Sequence, residues 1–474
     1  MAAQGCGPGT PVAILSPNDA SAFACMLAVL AAGATWIPVN VRNDPTTNAA
    51  FLAAVGCKWL FWHGSLNAER EIIAAQVSTL AREVRIDGEA VNASSWLALA
   101  NAGGELPRAP VADAGRICTI VGTGGTTGSP RAVTWSERTW DALIATAAVE
   151  LASVPSPVHL CVAPMTHAAG ILAMMLMPQA PTNVVLDRAD PLEIMRAIER
   201  ERVTHIYLPP TLLYLMLAHP EVRRFDYSSL RYFIITSAPV APERLREAVE
   251  VFGPVMAQLY GQSEAPMILA FHSPAMIAAA ARSSDIRALA SCGSATIVTQ
   301  IRIMAPDGAL LAPGEVGEIV ARGPLVMNGY LNDMAATVEA GRYGWHHTGD
   351  IGHLDANGLL SLIDRQNDMI ITGGFNVYPV EIERVLLGHP AVQECAVIGV
   401  PDSKWGEAVK AVVELKPEQA VAADELLRWC RDRLGGVKTP KSLEFRDRLP
   451  RSSVGKVLKR AVRAPYWAGR ERAI

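Results

Sequence analysis

Ile120-Val121-Gly122-Thr123-Gly124-Gly125-Thr126-Thr127-Gly128-Ser129-Pro130-Arg131-Ala132-Val133 is an apolar, strand-like run that opens into glycine and hydroxyl residues and closes on a proline and an arginine. Glycine reaches backbone angles closed to other residues, so successive N–H groups of such a loop can point into one concavity, the arrangement that binds phosphate. Thr123, Thr126, Thr127 and Ser129 add hydroxyl donors, and Arg131 adds a fixed positive charge. The nucleotide-triphosphatase pattern G-x-x-x-x-G-K-[ST] fails, because Gly128 is followed by Ser-Pro-Arg and Thr123 stands where its first glycine belongs. A flexible Gly/Ser linker is the rival reading, and the apolar strand leading into the loop argues against it.

Outward from this loop, the chain has 474 residues, 50% of them hydrophobic and 19% charged, which suits a multidomain globular body and excludes extended disorder. Eight cysteines are scattered without C-x-x-C pairs or Cys/His spacing of the zinc kind, so they read as small buried hydrophobes in a reducing compartment. Residues 22–39 are the most membrane-like stretch, but Gly33 and Pro38 interrupt it, and a buried helix followed by a strand is expected there. The sequence shows no basic-then-apolar N-terminal signal and no C-terminal lipidation cysteine, and the expected compartment is the cytoplasm.

The net charge of −4 is uneven: residues 368–474 hold eighteen Lys and Arg against fourteen Asp and Glu, so the part before them stands at −8. Of eight lysines only Lys58 precedes residue 400. A small basic module therefore follows a large acidic one. Its charges are interspersed with acids in no recognised pattern, so nucleic acid is not an expected partner.

Strand-like runs at 12–15, 59–62, 160–163, 184–186, 206–208 and 233–235 alternate with helical segments. One helix start is well marked: Asp190 can cap, Pro191 fits the first turn, and Glu193 follows before an apolar face. The expected fold is α/β: a large multi-layer N-terminal domain with mainly parallel sheets, a β-rich subdomain after residue 290, and a small mobile α+β C-terminal domain. In such sheets ligands lie beyond the C-terminal ends of the strands, where the glycine loop falls. The polar run Asp364-Arg365-Gln366-Asn367-Asp368 coincides with the charge shift and is the expected hinge, dividing the chain into 1–366 and 367–474. Beyond it, a helix over 379–387, strands near 397–400 and 409–415, a helix near 424–434 and a final basic loop are expected.

Several segments together resemble the acyl-adenylate-forming enzymes, the superfamily of acyl-CoA synthetases, peptide-synthetase adenylation domains and firefly luciferase. The glycine loop resembles the family's T-S-G-T-T-G-x-P-K-G; Tyr260-Gly261-Gln262-Ser263-Glu264 resembles Y-G-x-T-E; Trp345-His346-His347-Thr348-Gly349-Asp350 resembles W-x-x-T-G-D. The hinge run, Gly373-Gly374-Phe375-Asn376-Val377-Tyr378-Pro379-Val380-Glu381-Ile382-Glu383, and Leu449-Pro450-Arg451-Ser452-Ser453-Val454-Gly455-Lys456 complete the set, in the family's order over nearly the whole chain.

The resemblance implies that a carboxylic acid is joined to the α-phosphate of ATP, releasing pyrophosphate, and that a thiol then displaces AMP. It implies ATP, Mg2+ and coenzyme A as reactants and cofactor, with Thr123, Gly124, Gly125, Thr126, Thr127, Gly128 and Arg131 on the β- and γ-phosphates, Ser263 on phosphate, and Glu264 helping to hold the metal. Asp350 is expected to accept both ribose hydroxyls, a task for a carboxylate with two acceptor oxygens, and Arg365 to be a second ribose or phosphate contact. Tyr260 is expected to stack on adenine, with Gly261 beside it and Ser237, Ala238 and Pro239 near the base; a core tyrosine is its rival. Lys456 is the expected catalytic cation, touching the attacking carboxylate and the α-phosphate oxygen where negative charge concentrates.

In the same way His167, in Pro164-Met165-Thr166-His167-Ala168-Ala169-Gly170, resembles the family's P-x-x-H-x-x-G, which lines the acyl pocket; a structural histidine is its rival. Ala168, Ala169, Leu259, Gly261 and Met267 are expected to share that pocket, and Leu259, standing where many members have Gly, would shorten it toward aryl or short-to-medium acids. Rotation about Asn367 would withdraw Lys456 and bring Gly373 and Gly374 to the pantetheine tunnel. Arg131 and Ala132 depart from the family's Lys and Gly, and Asn367 from its Asp or Lys. Residues 11–15 resemble a point a few dozen residues into typical members, so a trimmed N-terminal subdomain or a misassigned start is expected. The resulting expectation is an acyl-CoA synthetase. An acyl-AMP ligase loading a carrier protein and a non-catalytic nucleotide-binding protein are the alternatives, and a homodimer is compatible with each.

Overall fold

The expected β-α alternation is realised as two large, mainly parallel sheets. The computed structural model describes residues 1, 4–88, 94–96, 111–123, 131–151, 154–236, 240–283, 286–365, 368–451 and 457–468. The first sheet contains β1 (Pro11–Leu15), β2 (Thr35–Pro38), β3 (Trp59–Trp62), β4 (Arg82–Arg85), β5 (Ser94–Ser95), β6 (Ile117–Gly122) and β7 (Ala132–Ser136). The second contains β8 (Val158–Cys161), β9 (Thr182–Val185), β10 (His205–Leu208), β11 (Tyr232–Ile235), β12 (Met256–Gln262), β13 (Ala265–His272) and β14 (Ser294–Ala295). β15 (Gln300–Met304), β16 (Gly317–Arg322), β18 (His346–Leu354) and β19 (Leu360–Arg365) form an antiparallel four-stranded sheet, the expected β-rich part. β17 (Gly329–Tyr330) instead leaves it to pair antiparallel with β7 at the edge of the first sheet.

The C-terminal domain is built on a sheet of β20 (Ile370–Thr372), β21 (Phe375–Val377), β22 (Val392–Asp402), β23 (Gly406–Leu415) and β24 (Ser442–Phe445). Its helix Pro379–Leu387 lies where expected, whereas its central strands are longer than the apolar runs that announced them, because ladder hydrogen bonds continue through polar ends. Residues 459–463, expected as loop, are helical and bury Val462 against the sheet.

The segment 22–39 resolves into helix Ala20–Ala31, capped by Asp19, and β2. No helix among the described residues is long and apolar enough to cross a membrane. The cap at Asp190 forms as expected, its carboxylate accepting from the Glu193 N–H at 3.0 Å. The run expected at 160–163 forms β8 two residues earlier, so His159 enters the sheet interior and is fully buried.

A core that includes Trp36, Trp135, Leu172 and Met267 draws on both large sheets; separate clusters cover the second sheet around Ile206 and Phe233 and the first around Leu60. All eight cysteines are unpaired, and all but Cys292 are buried.

One side chain joins the two large sheets where ligands are expected. Just after β1, Asn18 donates its amide to the carbonyls of Val162, Ala163 and Leu186 at 3.0–3.1 Å and accepts from the Met165 N–H at 2.8 Å. It thereby closes the C-terminal ends of β8 and β9 and fixes the turn that leads to His167.

Candidate active site

The glycine loop is the tip of an antiparallel hairpin. β6 and β7 pair with Gly122 opposite Ala132, and the Thr123 N–H donates to the Arg131 carbonyl at 2.9 Å to seal the base. Helix Glu137–Glu150 begins only after β7, so no helix N-terminus faces the loop directly. Gly124, Gly125, Thr126, Thr127 and Gly128 lie outside the described residues, as do Ser237, Ala238, Pro239, Asn367 and Lys456.

Ser263 and Glu264 occupy the tight turn between β12 and β13. A Cβ on Gly261 would lie 2.8 Å from the Met267 carbonyl carbon and 3.0 Å from the Ala265 oxygen, so this position requires glycine. Met267 carries a left-handed φ of +63°, a conformation that concentrates at ligand sites. The turn is held from outside: the Trp135 indole N–H donates to the Ser263 carbonyl at 2.7 Å, and the Met327 N–H to the Glu264 carbonyl at 2.8 Å. The Tyr330 hydroxyl donates to Glu264 Oε1 at 3.0 Å. Among the described residues no three His, Cys, Asp or Glu side chains gather as a metal-ligand set. Glu264 alone fits a Mg2+ that draws most of its oxygens from nucleotide phosphates and water.

Asp350 opposes Arg365 in the β18–β19 ladder and is 6% exposed. Its Oδ2 accepts the Tyr260 hydroxyl at 2.8 Å, and its Oδ1 lies 3.4 Å from Arg365 Nε. Burial, with Asp350 adding to it, raises the Tyr260 phenol well above its ordinary value and keeps it a donor. The Tyr260 ring packs in the cluster of Leu269, Ala270 and Ile301. Gly349 has φ +70°; its N–H donates to Glu318 Oε1 at 3.0 Å, while Glu318 Oε2 is 2.7 Å from His347 Nδ1. Glu318 thus braces the Thr348-Gly349-Asp350 turn from behind.

His167 precedes helix Ala168–Met175 and is half-buried, its carbonyl accepting from the Gly170 and Ile171 N–H groups. A Cβ on Gly170 would overlap the Met165 carbonyl oxygen, which explains the glycine three residues after the histidine. Beside His167 opens a cavity of about 160 Å³, lined by Arg42, Pro164, Tyr207, Thr211 and Leu212 among others. Of the expected acyl-pocket residues only His167 lines it. Ala168, Ala169, Leu259 and Met267 belong to the packed core, and Gly261 is pressed against the Met267 backbone.

Gly373 and Gly374 turn between β20 and β21 with φ of +55° and +83°. Gly373 abuts the Trp405 indole and donates its N–H to the Trp405 carbonyl at 2.9 Å. The loop bearing Lys456 is pinned at both ends, by an Arg451–Val457 bridge and by the Leu458 N–H donating to Pro450 O at 2.8 Å. Just beyond it, Lys459 lies 2.9 Å from Glu383 and 3.9 Å from Asp364, with 17% of its side chain exposed. Burial opposes its charge, but Glu383, Asp364 and Asp368 outweigh that and hold its pKa above the ordinary lysine value. Asp364 Oδ2 also accepts the Val380 N–H at 2.9 Å, so one carboxylate at the end of β19 receives two groups from the C-terminal domain.

Asn18, Glu318, Tyr330 and Lys459 were not singled out from sequence. Each acts through a partner distant in the chain.

Residues 1–331 match the AMP-binding enzyme family, and residues 381–456 match the AMP-binding enzyme C-terminal domain. Feruloyl-CoA synthase from Amycolatopsis sp is 37% identical over 471 residues, covering 98% of this chain and 91% of that protein. The amide bond synthetase McbA from Marinactinospora thermotolerans superposes with a TM-score of 0.89 at 32% identity, covering 98% of this chain and 91% of that one. O-succinylbenzoate coenzyme A synthetase from Bacillus subtilis, solved with ATP and magnesium ion, superposes at 0.83 with 28% identity, covering 97% and 90%.

Proposed function

The chain belongs to the AMP-binding enzyme family, and from that premise we infer the reaction it performs and the residues that perform it. It is an acyl-CoA synthetase, an ATP-dependent AMP-forming acid–thiol ligase that uses ATP, Mg2+ and coenzyme A. A carboxylate oxygen attacks the α-phosphorus, the bond to the β-phosphate oxygen breaks, and pyrophosphate leaves. The coenzyme A thiol, losing its proton, then attacks the acyl carbon, and AMP departs with the bonding pair.

The observation that carries the residue assignment is the placement of Asp350. It is nearly buried, tied by Tyr260 to the same β12–β13 unit that presents Ser263 and Glu264, and faced by Arg365. A sugar-binding acceptor and a metal-side carboxylate thus share one rigid framework. On this reading the loop from Thr123 to Arg131 holds the leaving pyrophosphate, Ser263 contacts phosphate, and Glu264 would help hold Mg2+, which when bound offsets the charge of the polyphosphate. Asp350 and Arg365 take the ribose. Tyr260, its ring embedded in the core, offers adenine an edge and orients Asp350. Lys456, on a loop pinned at both ends, contributes positive charge at the α-phosphate. The domains divide at 366/367 with Asn367 as hinge, and Gly373 and Gly374 line the thiol's approach.

The acid is an aryl or short-to-medium carboxylic acid. The modest cavity beside His167 supports this, as does the likeness to a feruloyl-CoA synthase. Coenzyme A as acceptor, rather than a carrier protein, and residence in the cytoplasm complete the reading. ATP–pyrophosphate exchange across a panel of aromatic and aliphatic acids tests it. Exchange with an aromatic acid, followed by thioester formation with coenzyme A and not with a phosphopantetheinylated carrier or an amine, is expected; exchange with no acid would overturn it.

A further inference from the structure

The segment 327–331 is stitched to both halves of the phosphate site. At one end the Met327 N–H donates to the Glu264 carbonyl at 2.8 Å; at the other the Leu331 N–H donates to the Ala132 carbonyl at 2.8 Å, one residue past Arg131. Between them Gly329 and Tyr330 pair with Thr134 and Val133, and the Thr134 hydroxyl donates to the Gly329 carbonyl at 2.8 Å. The Tyr330 N–H donates to Thr337 Oγ1 at 2.9 Å, and a Cβ on Gly329, at φ +137°, would lie 2.7 Å from the Thr337 methyl. The backbone of Tyr330 is therefore fixed before its side chain does anything.

That side chain stands between two opposite charges. Its hydroxyl donates to Glu264 Oε1 at 3.0 Å, and the Arg131 guanidinium lies 5.3 Å from its ring centroid, within cation–π range. No ion pair joins Arg131 to Glu264 among the described residues. Without a spacer, two such groups in a ligand-free site satisfy each other, and both must then be separated before phosphate and metal can bind.

We propose that Tyr330 is a positioning residue of the nucleotide site: its hydroxyl orients the Glu264 carboxylate toward Mg2+ while its ring holds Arg131 toward phosphate, so the two charges stay apart and preorganised. This rests on the assignment of Glu264 to Mg2+ and of Arg131 to phosphate made above.

The test is ATP binding by calorimetry across a magnesium titration. Tyr330→Phe keeps the ring and removes only the hydroxyl. It is expected to raise the Mg2+ concentration for half-maximal ATP binding about 10- to 100-fold, the scale of one hydrogen bond to a charged group, with a much smaller change in metal-free ATP binding. Tyr330→Leu removes the ring as well and is expected to weaken ATP binding without metal too. A parent-like melting temperature and circular dichroism spectrum in Tyr330→Phe report an intact fold. A shifted magnesium midpoint in Glu264→Gln with a parent-like midpoint in Tyr330→Phe overturns the role of Tyr330 and leaves the Glu264 assignment standing. Parent-like midpoints in both overturn the assignment and the inference together.

Discussion

Replacing Asn18 by leucine, which has the same branching of heavy atoms but cannot hydrogen-bond, should loosen the junction of the two large sheets and the turn that carries His167. The amide has two protons to share among the carbonyls of Val162, Ala163 and Leu186, and its oxygen accepts one N–H, from Met165. That amounts to three full hydrogen bonds, at about 1 kcal/mol net each, so a loss of about 3 kcal/mol is expected. The site is only partly buried, and water re-entering the junction sets the lower bound at roughly 2 kcal/mol. In a large domain of roughly 350 residues about 3 kcal/mol corresponds to roughly 4 °C in the transition that unfolds it, read by differential scanning calorimetry. Asn18→Asp is the sharper variant: it keeps the acceptor for Met165 but turns a carboxylate toward three carbonyl oxygens, and it should fall below Asn18→Leu. Both should raise KM for the acid more than KM for ATP if, as proposed above, the acid occupies the cavity beside His167. If Asn18→Asp melts within about 1 °C of the parent, less than about 1 kcal/mol is at stake and the clamp is not what joins the sheets.

Burial pushes the His159 and His205 imidazoles down to about 4 and about 3, so both stay neutral in the fold while the unfolded chain takes up protons near 6.5. Their contribution is complete above about pH 6.5 and is lost as pH falls toward 4, about 2 kcal/mol each by pH 5; melting temperature against pH should show the drop, and His205→Phe should flatten it by about one proton. Gly170→Ala drives a Cβ into the Met165 carbonyl and should displace the His167 turn, abolishing acid-dependent exchange while leaving ATP binding by calorimetry near the parent. Lys459→Met strands Glu383 and Asp364 and should cost about 3–5 kcal/mol in thermal unfolding, with Lys459→Arg restoring most of it; equal melting of both variants would remove the charge cluster from the account.

The parts of the fold legible in the sequence are those written in local chemistry. The cap at Asp190, the strand that runs into the glycine loop, and helix Pro379–Leu387 all follow from residues that touch near neighbours in the chain. His159 shows where this stops: the apolar period placed the strand at 160–163, but a histidine that finds Asn183 at 2.9 Å can be carried into the sheet. The cavity beside His167 shows it again: Ala168, Leu259 and Met267 are apolar and near the same turn, and apolar character alone does not separate a residue that lines a cavity from one packed in the core. Asp350, Ser263 and Glu264 were singled out through resemblance to short motifs, and their turns carry glycine at Gly349 and Gly261, whereas Tyr330 and Asn18 carry no local mark at all.

The pairing of Tyr330 with Val133 spans almost two hundred residues of chain, and β7 has its outer partner only in β17. During synthesis the strand returning from the glycine loop therefore waits, with one edge bare, until residue 330 has left the ribosome, after both large sheets have their other strands. Such distant pairing forms late, and an unpaired edge invites association with other chains in the interval. Nucleotide competence is then among the last properties the nascent large domain acquires, and ATP arriving at that moment would act as a staple on the strand that completes it.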